Sequence, residues 1–471
     1  PEPPPPQEQV KDDAKLVDTP FSTQFFTAMR LTTVNEAELR SAFKNMDLDG
    51  SGSLSREEVL QVFRQSEASE ERAQSLTSAW MCHLDRNRDN RVSFPEFQAG
   101  VIELAKVRDP RVWPIAGVML VTGLSVGLVI PAMPLLVKLL GLSQAEFGYV
   151  ITAFGLSKLL ANVPAALCAD TLGRRASMAG GMYICGIGAF GFVTAKSLIG
   201  IIIARLFSGA GASFVMAGST TAASDLSTPL NRSRMLAPVL MAFSAGTVLG
   251  PAVGGVLIGY IGLEPTFAVV TFMFLANGIC AQVLIPETMP EGNRPKQGTT
   301  AGHLRALMAQ WGPLFADLRI REVLTVNVAY WLALAGGQFT MLPLLLDNQF
   351  GLGTAEIGAT FAFQSAVSFA AAGPAAALAD RVGPKRVLAP AMAIMAVSLA
   401  GLPVAPGVAE MFVPIVGLAL GSTMLSSAPV ALVSNIASQE SRAQALALTR
   451  TMGDVGWCLG GAGVGVAAAS F

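Results

Sequence analysis

Charge is scarce in this chain. Asp, Glu, Lys and Arg make up 14% of its 471 residues, against 52% that are hydrophobic. Soluble domains carry nearer a quarter charged, so this shortage excludes a water-soluble globule over most of the length. Histidine is almost missing, with two residues, His83 and His303. Neither sits in a metal-binding or catalytic constellation, no Ser/His/Asp set or phosphate-cradling loop is visible, and the chain does not read as an enzyme. The five cysteines, Cys82, Cys168, Cys185, Cys280 and Cys458, are odd in number and without paired spacing, which argues against a disulfide framework. They read as small buried residues. A net charge of −1 gives no electrostatic footprint for a nucleic-acid partner.

The charge that is present is crowded at the start. Eleven of the 32 Lys and Arg residues, and most of the acidic ones, precede Lys106. Within that region two twelve-residue loops stand out. In the first, Asp47, Asp49, Ser51, Ser53, Ser55 and Glu58 fall at loop positions one, three, five, seven, nine and twelve. In the second, Asp85, Asn87, Asp89, Arg91, Ser93 and Glu96 take the same places. A hard cation such as calcium wants oxygen donors at those positions, with a backbone carbonyl at position seven and a bidentate glutamate at twelve. Gly52 permits the sharp turn at position six; Asn90 replaces it in the second loop and tolerates a left-handed backbone. Leu54 and Val92, at position eight, are placed to pair the loops through a short strand. The expectation is two calcium ions held by an EF-hand pair over 34–108, entered by a helix capped by Asn35. A Pro- and charge-rich tail over 1–33 reads as disordered.

Beyond this module the chain becomes a train of apolar segments, each long enough to cross a bilayer. Eleven are expected, near 112–138, 145–169, 175–195, 198–222, 235–260, 265–285, 322–346, 355–379, 387–404, 409–434 and 443–470. A polar connection over 286–321 divides 112–285 from 322–471. Lys and Arg cluster at one set of segment ends, for example Arg174, Arg175, Arg294 and Arg386, while the other ends hold only Lys138 and Lys196. That bias places the amino-terminal module and the 286–321 connection in the cytosol, in a plasma membrane or an organelle envelope. The fold class is all-α: an EF-hand pair followed by a polytopic membrane domain.

The two halves repeat. Asp170, Gly173, Arg174 and Arg175 follow the second segment, and Asp380, Arg381, Gly383 and Lys385 follow the eighth, with the aspartates 210 positions apart. Parallel halves related by an axis along the membrane normal are a transporter architecture. The Asp-x-x-Gly-Arg-Arg turn with its echo, and Arg205-Leu-Phe-Ser-Gly209 in the fourth segment, resemble the major facilitator superfamily. Gly246, Gly250, Pro251, Gly254 and Gly255 in the fifth resemble the signature of that superfamily's proton-driven drug antiporters, and Pro286-Glu-Thr is also common there. The resemblance covers about 112–471 and implies two six-span halves that rock about a central substrate site. It implies further that the turns gate the inner ends and that the fifth segment seals against leak. Thr171 stands where the family has Arg or Lys. The twelfth span is missing and the chain starts without Met, so a truncated sequence is expected.

Few ionisable residues lie within the segments: Lys158, Arg205, Arg450 and Asp454. Such residues are costly in a bilayer and functional by default. Arg450 and Asp454, four apart, are expected to pair on one helical face. Asp454 is the candidate proton carrier, and Lys158 either meets an anion or snorkels to an interface. The reading is a monomeric secondary transporter of a small organic solute, in contact with lipid, proton-coupled and exporting, with calcium regulating it. A facilitative or anion-coupled importer, and a calcium-responsive receptor or scaffold that transports nothing, are the alternatives.

Overall fold

The computed structural model describes residues 36–66, 70–106, 109–227, 231–289, 309, 311–437 and 441–468. The tail over 1–33, the Asn35 cap and most of the 286–321 connection lie outside these described residues. The chain divides into two compact units, one of 1–115 with 220–239 and one of 116–219 with 240–471.

In the first unit, α1 (Glu36–Met46), α2 (Arg56–Ser66), α3 (Glu70–Leu84) and α4 (Phe94–Lys106) flank two short strands, β1 (Ser53–Ser55) and β2 (Arg91–Ser93). The strands pair antiparallel, with Leu54 opposite Val92. Both side chains are fully buried, in one cluster with Leu39, Phe63, Trp80, Phe97 and Val101. Phe43 packs edge-on against Phe94 and Phe97, with centroids 5.5 Å apart in each case. Among the described residues this core lies within 39–101 and draws on all four helices, which is what lets two helix–loop–helix units stabilise each other.

Long apolar helices follow, with most of their length in the second unit. Span 1 is Val112–Leu139, span 2 Gln144–Leu172, span 3 Arg174–Thr194, span 4 Leu198–Asp225, span 5 Arg232–Ile261 and span 6 Leu263–Leu284. Span 7 runs Leu318–Asn348, followed by span 8 (Thr354–Val382), span 9 (Pro384–Gly401), span 10 (Val408–Ile436) and span 11 (Arg442–Ala468). Among the described residues, nine of these are long and apolar enough to cross a membrane. Spans 9 and 11 fall short of that measure. Span 9 opens on Lys385 and Arg386, and span 11 carries Arg450, Asp454 and a glycine run, all of which dilute apolarity. Span 7 changes pitch in the middle, where Leu334–Met341 is a π-helix. The Thr340 hydroxyl donates to the carbonyl of Ala335, five residues back, inside this stretch. Such wide turns recur at functional sites.

Glycine decides which helices touch. A Cβ on Gly246 would strike the Leu120 carbonyl, one on Gly250 would strike Gly127, and one on Gly254 would lie 2.7 Å from the Leu128 carbonyl, so span 5 rides directly on span 1. Gly255 points elsewhere, with its Cβ position 3.2 Å from the Gly358 Cα of span 8. Gly148 of span 2 does the same toward span 11, its Cβ position lying 2.8 Å from the Gly465 Cα. Gly148 and Gly358 are 210 residues apart, and so are Gly255 and Gly465. The two contacts between the halves are therefore copies of one another, related by the internal repeat. Small residues are what allow this backbone approach in apolar surroundings, where no hydrophobic effect drives helices together.

At the same end of the bundle, where span 1 finishes and span 2 begins, Lys138 Nζ meets Asp347 Oδ1 at 2.8 Å. Position 138 corresponds to 348 in the repeat, so this ion pair ties span 1 to span 7 across the repeat axis. The lysine is 65% exposed and the aspartate 29%, so the pair is worth at most about 1 kcal/mol. That is still a several-fold bias between open and closed arrangements. Lys138→Glu is expected to lengthen the mean distance between spin labels at Leu139 and Asn348, and adding Asp347→Lys to restore it. An unchanged distance in the single variant would show that the pair holds nothing.

Candidate functional site

The first loop is drawn tight by its own backbone. Asp47 accepts from the N–H groups of Ser51 at 2.9 Å and Gly52 at 2.9 Å, and Asp49 accepts from Ser51 N–H at 2.8 Å. Glu58 reaches back to the N–H groups of Leu48 (2.8 Å) and Ser55 (2.8 Å) and to the Ser55 hydroxyl (2.8 Å). One carboxylate oxygen from each of Asp47, Asp49 and Glu58 lies within 4.8 Å of the others. Carboxylates gathered this closely repel each other unless a cation or many donors offset the charge. The loop therefore suits calcium, which takes oxygen ligands at 2.3–2.6 Å. Asp47, Asp49, Ser51, the Ser53 carbonyl and Glu58 would hold it.

The second loop has the same backbone form. Arg88 and Asn90 adopt left-handed φ of 61° each, as Gly50 and Gly52 do at 69° and 77°. Glu96 accepts from Ser93 N–H (3.0 Å) and the Ser93 hydroxyl (2.6 Å), as Glu58 does from Ser55. Its acids are less gathered, however. Among the described residues, Asp85, Asp89 and Glu96 do not converge to the distance of the first loop. Asn87 replaces the second aspartate, and its amide donates to Asp89 at 2.9 Å.

The gating turns come next. Span 2 ends at Leu172, and Gly173, with φ of 110°, starts span 3. Asp170 pairs with Arg174 of its own turn, Oδ1 to Nη1 at 3.3 Å, and Arg174 Nη1 also donates to the Ala169 carbonyl at 2.8 Å. The helix start is capped by a residue far away in sequence. Glu287, just after span 6, accepts from Arg174 N–H at 2.9 Å and Arg175 N–H at 3.3 Å. A carboxylate at a helix amino terminus is favoured by the unpaired N–H groups there. A Cβ at position 173 would collide with that carboxylate, so glycine is required twice over. The repeat turn has the same backbone, with Gly383 at φ of 89° opening span 9 after Arg381. The Asp380 side chain lies outside the described residues.

The interior charges assemble differently from the sequence expectation. Asp454 is not joined to Arg450. It meets Lys158 Nζ at 2.7 Å through one oxygen and Asn162 Nδ2 at 2.8 Å through the other. Lys158 and Asn162 are one turn apart on span 2, so their two donors face span 11 together, while Arg450, one turn before Asp454, acts on it only through its charge. Lys158 thus meets a carboxylate of the protein's own second half. Asn162 Oδ1 accepts from Ser213 of span 4 at 3.0 Å, which links three helices. The contact between spans 2 and 11 runs from Gly148 and Gly465 through Trp457, whose Nε1 donates to the Ile151 carbonyl at 3.2 Å, and reaches the charged pair.

Beside this seam lies a cavity of about 110 Å³. Val126, Phe154, Phe192 and Arg205 line it from the first half, Phe339 and Trp457 from the second. Phe339 stands on the π-helical stretch of span 7, which turns it toward Trp457, 5.2 Å between centroids. Sequence reasoning missed Asn162 and Asp347 and noted Glu287 only as part of Pro286-Glu-Thr, without its partner. Asn162 carried a usable signal, a polar side chain four residues after Lys158 in an apolar run; Asp347 sits near a span end, where carboxylates are ordinary.

The calcium loops generate a measurable expectation. Burial works to raise the Glu58 carboxyl, but hydrogen bonds from Ser55, Leu48 and Asp49 outweigh it and hold it below its ordinary 4.5. Hydrogen bonds from Ser93 do the same for Glu96. A group with a lowered folded-state pKa stabilises the fold above its unfolded value, and that stability is lost as pH falls through the folded one. The melting temperature of metal-free 34–108 is therefore expected to be flat from neutral pH to about 5 and to fall below the usual carboxylate range. Calorimetry with calcium at neutral pH is expected to show two unequal steps, the tighter on the order of 10⁻⁷–10⁻⁵ M and removed by Glu58→Gln. Loss of the weaker step alone in that variant would reverse the ranking of the loops.

Residues 115–461 match the family model of the Major Facilitator Superfamily, and residues 36–102 match that of the EF-hand domain pair. Multidrug resistance protein 1 of Bacillus subtilis is 28% identical over 235 residues, 50% of this chain and 58% of that protein. Quinolone resistance protein NorA of Staphylococcus aureus is 28% identical over 179 residues, 38% of this chain and 44% of that one. The chain thus spans about half the length of these relatives. Among solved structures, a bacterial homologue of the human lysosomal transporter Spinster, inward-facing and unoccupied, superposes with a TM-score of 0.62 at 18% identity, covering 77% of this chain and 82% of that one. The nucleoside transporter NupG superposes at 0.63 and 13% identity, covering 77% and 92%. Both share the fold. The helices, their repeat and the family match agree: the chain belongs to the major facilitator superfamily and carries an EF-hand pair ahead of its membrane helices.

Proposed function

We propose that this protein is a proton-coupled exporter of a small organic solute, working as a monomer and regulated by calcium on a cytosolic EF-hand pair. The observation that carries the reading is the Lys158–Asp454–Asn162 contact between spans 2 and 11. An ion pair in apolar surroundings is held only while both members are charged. Protonating Asp454 removes its charge, leaves Lys158 uncompensated and weakens the seam between the halves at its middle. A proton entering from one side would thereby favour the arrangement in which the seam is parted, and its release would restore the pair. A proton is coupled to rocking in this way because the two protonation states have different affinities for the two arrangements. The likeness to multidrug and quinolone resistance proteins supports export, and the Lys and Arg bias supports a cytosolic amino terminus.

In proteoliposomes, Asp454→Asn is expected to abolish uptake driven by a pH gradient while leaving solute exchange at equal pH within a few-fold of wild type. Gradient-driven uptake that survives in the variant would remove Asp454 as the carrier. A calcium effect is expected as well. Five residues, 107–111, separate α4 from span 1, so a helix rearrangement in a sensor pair would be passed on to the membrane helix. Solute flux is expected to differ between calcium-free and micromolar-calcium conditions in wild type and not in the Glu58→Gln, Glu96→Gln double variant. Equal flux in all four conditions would reduce the EF-hand pair to a tether or a buffer.

A further inference from the structure

Arg205 is an interior charge that the exchange of protons at Asp454 does not use. It projects from span 4 into the 110 Å³ cavity and lies between two rings, its guanidinium carbon 5.7 Å from the Phe154 centroid and 5.6 Å from that of Phe192. Its Nε is buried and has no hydrogen-bond partner. No carboxylate among the described residues pairs with it, because the one in mid-span, Asp454, is taken up by Lys158 and Asn162. Two aromatic faces hold the guanidinium plane and stabilise its charge partly, but ring quadrupoles do not fill N–H donors. A buried cation with open donors is costly unless something anionic meets it.

The rest of the wall is mostly apolar, and its polar side chains are engaged: the Ser208 hydroxyl donates to the Ala204 carbonyl at 2.9 Å and the Cys185 thiol to the Ser208 carbonyl at 3.5 Å. Val126, Met133, Phe339 and Trp457 offer no free donor, since the Trp457 N–H is already given to the Ile151 carbonyl. The cavity therefore has one charged pole and an apolar body. Its volume is of the order that admits a single small ring, for which about 150 Å³ suffices once side chains relax. We infer that this cavity takes a small organic anion, with its carboxylate on the Arg205 guanidinium and its apolar part against Phe339 and Trp457. The planar fork of arginine suits a two-oxygen anion. Because the ligand would touch both halves, its binding would favour the arrangement in which they are together at this level.

This deepens the transporter reading and rests on it only in calling the ligand a substrate. The test is accordingly made at equilibrium, where no flux is needed. Calorimetry on the full-length chain in nanodiscs, corrected with empty nanodiscs, would compare benzoate, benzamide and benzylammonium. Benzoate is expected to bind at least about 10-fold more tightly than benzamide, and benzylammonium not to bind. Arg205→Gln is expected to abolish the difference between benzoate and benzamide, and Arg205→Lys to keep part of it. Equal binding of benzoate and benzamide, tighter binding of benzylammonium, or benzoate preference surviving in Arg205→Gln would each overturn the inference. If Arg205→Gln does not fold, the wild-type series and Arg205→Lys decide. Failure of pH-driven flux with benzoate bound would count against the transport reading and not against this site.

Discussion

A carboxylate in the middle of an apolar helix bundle must be compensated, and the way Asp454 is compensated organises the membrane unit. Its two oxygens are met by Lys158 and Asn162, both on span 2, so the charge of one half is held by the other. The close approach this needs is supplied by glycine. Gly148 and Gly465 bring the backbones of spans 2 and 11 together at one end of the seam, and Gly155, against Trp457 and Cys458, continues it toward the ion pair. Without those glycines the helices would stand apart by a side chain, and the lysine would have to stretch or the carboxylate would stand unpaired.

The same logic of matched partners runs through the remaining sites. Glu287 serves the open N–H groups at the start of span 3, and Gly173 leaves room for it. Glu58 and Glu96 close their loops by accepting backbone N–H groups that would otherwise be unpaired, while keeping oxygens for a cation. Arg205 departs from the pattern, with aromatic faces on both sides and an unpaired Nε in a cavity. Polar groups in apolar surroundings are costly, so a charged one left open beside a cavity is a place where a ligand's chemistry can be sought.

Much of this was legible beforehand because it is local. The ligand spacing of the calcium loops and the left-handed positions at Gly52 and Asn90 are set within twelve residues, and Leu54 and Val92, which pair across the loops, take the same place in each. The repeat was legible too, and more fully than the Asp170 and Asp380 turns alone suggest. Gly141-Leu-x-x-Ala-Glu-x-Gly148 returns as Gly351-Leu-x-x-Ala-Glu-x-Gly358, and its last glycine makes the contact between halves in each copy. Spacing of four identified Arg450 as a charged neighbour of Asp454 on one helix but is silent about better placed donors on another, Lys158 and Asn162.

What the sequence by itself determined is the inventory: helices of membrane length, a paired calcium module, an internal repeat of 210 residues and a handful of charges in apolar runs. Hydrophobicity and short-range spacing fix such features, and the repeat shows itself as the same short motifs met twice, 210 residues apart. The tertiary structure decided the partners. Lys158 and Asp454 are 296 residues apart, Arg174 and Glu287 113, and Lys138 and Asp347 209. Those meetings depend on which helices pack together and at what depth, and that is set by backbone contact at glycine, a property of two helices at once that neither segment carries alone.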